Sequence, residues 1–378
     1  MFDWLQNNLI YLTKAGSVAY GVNTDKSDLD IKGIFIPPKR IENHLFEHIE
    51  QIENNKEVET LCDQFKNPKN PKLESTCFSL KKFMVLASQI NPNIIELLWT
   101  DDIDHIIVNS VMKSLIENRN IFLSSRVKFS FGGYAYSQLA RINRHKQWIV
   151  KGELTEPKRE DFGLPATKPK QLDEIFGYIK SEVERYNLSK FELDEMDRND
   201  LKETLMELVN SLVKTNDPLG WDNWPDKYSD AVIYDMTSKF DLKDEVVDLI
   251  CKEKEYKKAL NQYNSWIKWK AERNPARREL EVKSGYDTKH ASHLVRLMRM
   301  GYEILTEGKV IVKRPDRDEI LSIKNGAWTY EQVMEFSDTM QKKLDEAYKT
   351  TKLSRSVDNE KVNALYYDMV NEYWNLDI

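Results

Sequence analysis

The sequence predicts an α+β protein, with a sheet-forming N-terminal part followed by a mainly helical remainder. From Leu9 to about Thr100, short β-rich runs (LIYLT, DLDIKGIFI, STCFSL) alternate with turn-rich segments such as NPKNP at Asn67 to Pro71. Beyond them, apolar residues recur at three- and four-residue spacing among charges, the period of amphipathic helices. At 378 residues the chain exceeds what one hydrophobic core usually serves, so two domains are expected. The patterns place the first at 1–125 and a helical one at 126–378, with a loosely patterned insertion at about 151–230.

Taken in order, SLKKFMVLASQI and NPNIIELLWT read as short helices that follow the β-rich runs. In the insertion, Pro157, Pro165 and Pro169, then PLGWDNWPDKY, interrupt any long helix. A long helix is expected from Asp241, which would serve as N-cap, to the RNP stop at Arg273 to Pro275. A further helix runs from about Thr288 to Leu305 and should close near Gly308, a residue suited to a helix C-terminus.

Apolar residues make up 40 % and charged residues 31 %, the balance of a globular chain rather than a disordered one. Lys and Arg number 56 against 62 Asp and Glu, and the net charge of −6 gives no global field to attract nucleic acid. A polynucleotide partner would need a local basic patch. Cys62, Cys77 and Cys251 lie far apart with no C-x-x-C spacing, which argues against a thiolate zinc site or a disulfide framework. No apolar run reaches the roughly 20 residues that span a bilayer, and no secretory leader pattern is present. The expectation is a cytoplasmic protein without a membrane partner, in the host cytoplasm if phage-encoded; nothing in the sequence sets its oligomeric state.

The informative stretch is AGSVAYGVNTDKSDLDIKGIFIPP, from Ala15 to Pro38. If Asp28 to Ile36 is a strand, Asp28, Asp30 and Lys32 project to one face, and Leu29, Ile31 and Phe35 turn into the core. Two carboxylates about 7 Å apart on one strand face repel, and a divalent cation is a natural neutraliser. Mg²⁺ suits such hard oxygen ligands and bridges readily to phosphate, with Mn²⁺ as the alternative. Upstream, Gly16 lets the backbone approach an anion, Ser17 offers a hydroxyl, and amides at Val18 to Tyr20 can cradle phosphate. Tyr20, Ser27 and Lys32 therefore join Gly16 and Ser17 as candidate nucleotide contacts.

The order and spacing of Gly16-Ser17 and Asp28-Leu29-Asp30, with an apolar strand after them, resemble the signature of the DNA polymerase beta superfamily of nucleotidyltransferases. Further segments are similar to its RNA-repair branch, which has bacterial and large tailed-phage members. They are AYG at Ala19 to Gly21, KGIFIPP at Lys32 to Pro38, NPNIIELLW at Asn91 to Trp99, GYAYSQL at Gly133 to Leu139 and YDTKHASHLVRLMRMGYEIL at Tyr286 to Leu305. The resemblance implies a small mixed-sheet nucleotidyltransferase domain and Mg²⁺-dependent transfer of a nucleoside monophosphate, with release of pyrophosphate. It points to ATP as donor and an RNA end, such as a cleaved tRNA, as acceptor. It also implies a third carboxylate that binds metal and acts as base, placed just before the SLKKF helix. Glu74 stands there, with Glu57, Glu59 and Asp63 as rivals. Two other classes stay open: an enzyme that nucleotidylates a protein side chain, and a catalytically silent nucleotide-binding protein.

In TKHASHLVRLMRMG, the residues His290, His293, Arg296 and Arg299 form a polar stripe, either facing the cleft as nucleotide contacts or making a solvated, salt-bridged face. Zinc bound by His290 and His293 is disfavoured because no H-E-x-x-H motif accompanies them. RVKFSFGGYAYSQLARINRHKQW interleaves basic and aromatic residues, so Arg141, Arg144, His145 and Lys146 are candidate polynucleotide contacts, unless the stretch packs between domains. In YNSWIKWKAERNPARR, Trp266 and Trp269 read as core residues, and Lys268, Lys270, Arg273, Arg277 and Arg278 as a local basic cluster.

Overall fold

Alternation along Leu29–Phe35 produces the central strand of a five-stranded mixed sheet, the framework on which the N-terminal part is built. A computed structural model describes residues 2–25, 27–46, 48–166, 244–273 and 275–376. Strand β1 (Leu9–Lys14) leads into a single helical turn, α1 (Gly16–Ala19), and then β2 (Leu29–Phe35). The turn α2 (Lys39–Glu42), strand β3 (Gln51–Glu53) and helix α3 (Lys56–Cys62) precede β4 (Leu73–Ser79). Helices α4 (Leu80–Ser88) and α5 (Pro92–Ile95) come next, then β5 (His105–Val108), α6 (Ser110–Glu117) and α7 (Val127–Lys151). After them stand α8 (Asp244–Glu272), α9 (Pro275–Ser284), α10 (Thr288–Glu307), α11 (Arg317–Lys324), α12 (Tyr330–Thr350) and α13 (Asn359–Leu376).

The strand order is β3-β4-β2-β1-β5. Neighbours run antiparallel except β2 and β4, which are parallel. A parallel pair needs a crossover, and β3 with α3 supplies it. Val58 and Cys62 of α3 pack with Leu12, Leu29, Ile31, Phe35 and Cys77, which closes one face of the sheet with hydrocarbon and sulfur. Burial pushes the thiols of Cys62 and Cys77 up to about 11 and about 12, so they behave as small apolar groups. On the opposite face Ile34, Ile36 and Phe78 join the large core shared by α4, α6, α7 and α10 to α13.

Local chemistry accounts for the helix ends. The Ser79 side chain caps α4 by accepting from the Lys82 amide, and Asn91 caps α5 just before Pro92. Asp287 caps α10 by accepting from the His290 amide, and Gly308 ends that helix at φ +66°. The expected helix from Thr288 thus exists and runs one turn's fraction past Leu305. Thr329 and Gln332 form a capping box at the start of α12.

The chain divides into two compact units, Met1–Val150 with Pro275–Ile378, and Lys151–Asn274. Within the second, the Arg159 guanidinium forks onto the buried Glu253 carboxylate at 2.9 and 2.7 Å, and Lys270 lies over the ring of the buried Trp266. The long helix expected to stop at RNP does end at Glu272, while its expected cap Asp241 and most of the 151–230 insertion fall outside the described residues. Among the described residues no helix is long and apolar enough to cross a membrane.

Candidate functional site

The even positions of β2 carry the chemistry. Asp30 lies in register with Glu74 of β4, and Lys32 with Thr76, so these side chains share one sheet face on strands about 4.8 Å apart. The Lys32 ammonium donates to the Thr76 hydroxyl at 2.8 Å, which confirms the shared face. Asp28 stands one alternation before Asp30, just ahead of the strand. Burial, then the Asp28 charge, raise the Asp30 pKa above its ordinary 3.8; Lys32 and Lys289 oppose the shift, and Glu74 adds to it. At the rim, Lys72 lies 2.6 Å from Glu74 and 3.8 Å from Asp28. That exposed lysine is the only described cation in ion-pair contact with Asp28 or Glu74.

The turn above Asp30 is shaped by one glycine. The Ala15 amide donates to the Asp30 carbonyl at 2.8 Å, which pins the end of β1 to β2. Gly16 then takes φ +58°, and a β-carbon there would lie 2.1 Å from the Asp30 Oδ2. Both the backbone conformation and the contact require glycine. Ser17 and Val18 occupy the first turn of α1, where amides have no partner earlier in the helix. The Val22 amide donates to the Ser17 carbonyl, and Thr24 and Ser27 close a small turn in which the Ser27 hydroxyl accepts from the Thr24 amide at 2.9 Å.

Tyr20 is buried. Its hydroxyl donates to the buried Glu96, its ring carries the Arg296 guanidinium at 3.6 Å, and Arg296 donates to the other Glu96 oxygen at 3.2 Å. Burial raises the Glu96 pKa, with Arg296 and the Tyr20 hydroxyl opposing, and Lys32 also bears on it. Lys32 therefore lies electrostatically between the Asp30 carboxylate and this buried network. Glu96 went unmarked in the sequence because NPNIIELLW offers no periodic reason to turn its glutamate inward.

The polar stripe of α10 faces protein rather than solvent. Arg299 donates to Asp316 and Glu319 of the α11 region, and Arg314 forks onto Glu303 while its amide donates to the Tyr20 carbonyl at 3.1 Å. His293 is held neutral well below the usual histidine range by burial, then by Arg296 and Lys289. His290 turns instead to Gln138 and Asp287. Lys72 and Lys289 carry no mark in the sequence, because their relevance depends on which strand and helix end they adjoin.

The rivals of Glu74 lie elsewhere. Glu57 and Glu59 belong to α3, the helix that packs on the opposite sheet face, and Asp63 follows it and pairs with Lys66. On α7, Arg141 and Arg144 are exposed, while the Lys146 ammonium sits 3.2 Å over the Tyr330 ring. Tyr134 of the same helix accepts from the Asn91 side chain.

The comparisons with known proteins fit this geometry. A protein of Enterobacteria phage T4, described as an uncharacterized 38.9 kDa protein in the nrdC-mobD intergenic region, is 24 % identical over 363 residues, 93 % of each chain. No solved structure matches the chain. Residues 4–154, which hold Gly16, Ser17, Asp28, Asp30 and Glu74, match the RlaP family, described as the RNA repair pathway DNA polymerase beta family, and the resemblance read from the motif is borne out over that part of the chain.

Proposed function

We propose that the chain is a nucleotidyltransferase of RNA repair that moves a nucleoside monophosphate from a nucleoside triphosphate to an RNA end. ATP is the donor and a cleaved tRNA the acceptor in this reading; the match to an RNA repair family supports an RNA acceptor. The observation that carries the reading is the register of Asp30 with Glu74 beside a glycine at which any β-carbon would collide with the Asp30 carboxylate. Residues 1–125 are the domain to which we assign the transfer, with α7 and α10 to α13 of the same compact unit as the source of the acceptor's contacts.

Asp28, Asp30 and Glu74 fit a hard divalent cation, Mg²⁺ first and Mn²⁺ second. All three offer carboxylate oxygen, and the Asp30 pKa is raised first by burial and then by the Asp28 and Glu74 charges, with Lys32 and Lys289 opposing. When bound, such a cation neutralises phosphate oxygens and makes the α-phosphorus more electrophilic. The remaining work falls to the chain. Gly16 brings backbone against the phosphates without a side chain in the way, and the Ser17 hydroxyl donates to a phosphate oxygen. Lys72 releases Glu74 as the site fills, and Lys289, on the first turn of α10, adds positive charge near Asp30. Tyr20, Glu96 and Arg296 hold the floor of the turn rather than the ligand. The acceptor oxygen bonds to the α-phosphorus as the bond from that phosphorus to the bridging oxygen breaks. Pyrophosphate leaves, and Glu74 takes the acceptor's proton.

Incubating the protein with lysate RNA and proteins and each of the four α-labelled triphosphates tests this. Label removed by RNase supports the proposal. Label removed only by protease transfers it to a protein-nucleotidylating enzyme, and nucleotide binding without pyrophosphate release reduces the chain to a silent binder.

A further inference from the structure

On the helical side of the first unit, two imidazoles converge on a single carboxylate oxygen. His145 lies on α7, His290 in the first turn of α10, and Asp287 caps α10. The His145 Nδ1 is 2.8 Å from the Asp287 Oδ2, and the His290 Nε2 is 3.6 Å from the same oxygen. One ligand atom from each of the three residues falls within 4.8 Å of the others. Asp287 is fully buried, whereas the two imidazoles keep 12 % and 16 % exposure, so the cluster opens to one side.

The surrounding groups orient these atoms. Gln138 donates through its Nε2 to the Ser137 hydroxyl, which leaves its Oε1 to accept from the His290 Nδ1 at 2.7 Å. A neutral His290 then carries its proton on Nδ1 and points the Nε2 lone pair at the Asp287 Oδ2. A lone pair facing a carboxylate oxygen becomes favourable when a proton or a metal cation lies between them, and the second imidazole on the same oxygen favours the metal. The other Asp287 oxygen accepts from the His290 amide at 3.1 Å, so Oδ2 is the one turned to both rings. The buried Trp148 stacks on His145 with centroids 5.3 Å apart and fixes that ring's plane. A histidine whose second nitrogen donates to an amide oxygen is the usual support for a metal ligand.

The geometry points to a second cation site, in which His145 Nδ1, His290 Nε2 and Asp287 Oδ2 bind one Zn²⁺ and leave a fourth position to water. Ligand atoms around tetrahedral zinc lie about 3.3 Å apart, given metal–ligand bonds of about 2.0 to 2.2 Å. The observed 2.8 and 3.6 Å to Asp287 Oδ2 bracket that value, and with all three atoms within 4.8 Å of one another the two imidazoles have to close toward each other to complete the site. Two imidazoles with one carboxylate select a borderline transition metal over Mg²⁺. The cation clips α7 to the start of α10, the helix whose first turn also carries Lys289, a lysine that bears on Asp30. Its residues are separate from Asp28, Asp30 and Glu74, and the inference does not depend on nucleotidyl transfer.

The test uses the full chain without an affinity tag, stripped by chelator and then dialysed against Zn²⁺. Wild type should retain one equivalent, as should Asp28→Asn, while a His145→Gln/His290→Gln double variant retains none. Co²⁺ in place of Zn²⁺ should give visible d–d absorption that the double variant lacks. Zn²⁺ should also raise the thermal midpoint of wild type and of Asp28→Asn only. Should the double variant fail to fold without metal, His290→Gln alone, which keeps the Asp287 cap, must still weaken Zn²⁺ binding at least tenfold. Absence of zinc from wild type, its retention by the histidine variants, or its loss with Asp28→Asn would overturn the assignment and leave a hydrogen-bonded helix cap.

Discussion

The two faces of β2 follow one alternation to opposite ends. Leu29, Ile31 and Phe35 point to a face sealed by α3 with Val58, Cys62 and Cys77. Asp30 and Lys32 point to the other, where apolar packing covers only the far half, from Ile34 to Ile36, and the near half holds carboxylates, a lysine and threonine hydroxyls. Hydrocarbon on one face fixes the register, because slipping β2 by one residue would bury both aspartates and expose Ile31. The ionic half can then carry unfavourable charge, since stability comes from the face behind it. A site of this kind is cheap to mutate for folding and costly for function, and the reverse holds across the sheet.

The largest expected effect separates the faces outright. Asp28→Asn and Asp30→Asn should each lower transfer on the order of 10²- to 10³-fold or more, because each removes charge aimed at the reacting phosphates. Their thermal midpoints should stay at or above that of wild type. Ile31→Ala, one residue away, should destabilise by about 2–5 kcal/mol while the folded fraction keeps its turnover. Urea titrations alongside turnover measurements check the pair. An Asp28→Asn or Asp30→Asn enzyme with wild-type turnover would move the site off this face.

A second contrast concerns the third carboxylate. Glu74→Gln should cost nearly as much as Asp28→Asn, since Glu74 lies in register with Asp30 on the chemical face. Glu57→Gln, Glu59→Gln and Asp63→Asn, on or after the helix behind the sheet, should change turnover less than about twofold; the activity of all four single variants decides it. Normal turnover in Glu74→Gln would return the role to another group.

How much of this could be read without a structure depends on sequence distance. Asp28, Asp30 and the apolar positions between them lie within one strand, where period-two alternation assigns faces. The three helix ends at Ser79, Asn91 and Gly308 were equally local. Glu74 could be placed only through the resemblance, because its pairing with Asp30 spans 44 residues and strand register leaves no mark on a single sequence. The Glu96–Arg296 pair spans 200 residues and His145–Asp287 spans 142, which is why the histidine–arginine stripe of α10 read equally well as a cleft wall or a solvated face. Its inward turn is decided by partners on α7 and near α5, not by its own spacing.

Asp30 also predicts a pH dependence. Its raised pKa means that the folded protein holds a proton to a higher pH than the unfolded chain. The stability from protonated Asp30 is fully present below 3.8, the ordinary value, and is lost as pH rises through the raised one. Asp30→Asn should escape that loss and gain stability relative to wild type near neutral pH, without added divalent cation. Divalent-cation binding should conversely fall as pH drops through the raised pKa, above the range of a free aspartate. Thermal midpoints from pH 3 to 7 for wild type and Asp30→Asn, with and without Mg²⁺, check both signs; parallel curves would mean that Asp30 titrates as an ordinary surface carboxylate.

The smallest effect concerns a surface remote in sequence from the carboxylate face, and it tests whether RNA is the acceptor. A chain of net charge −6 must bind a polynucleotide through local patches, and α7 presents Arg141 and Arg144 to solvent three residues apart. Lys146 is differently placed, with its ammonium over the Tyr330 ring and Glu331 at 4.0 Å. If both arginines contact phosphates, replacing them by alanine should weaken RNA binding and flatten the log–log salt dependence by about 0.7 to 0.9 per contact. Lys146→Ala should shift that slope by less and unfolding by more, because it removes a packed cation from Tyr330. Nucleotide binding at Gly16 and Ser17 should be unchanged in both variants, since that turn rests on β1, β2 and the Tyr20–Glu96–Arg296 network and on none of the replaced side chains. RNA affinity measured at several salt concentrations decides the matter. A slope that survives Arg141→Ala/Arg144→Ala would place the RNA surface elsewhere, and a wild type with no RNA affinity would leave a protein side chain as the acceptor to pursue.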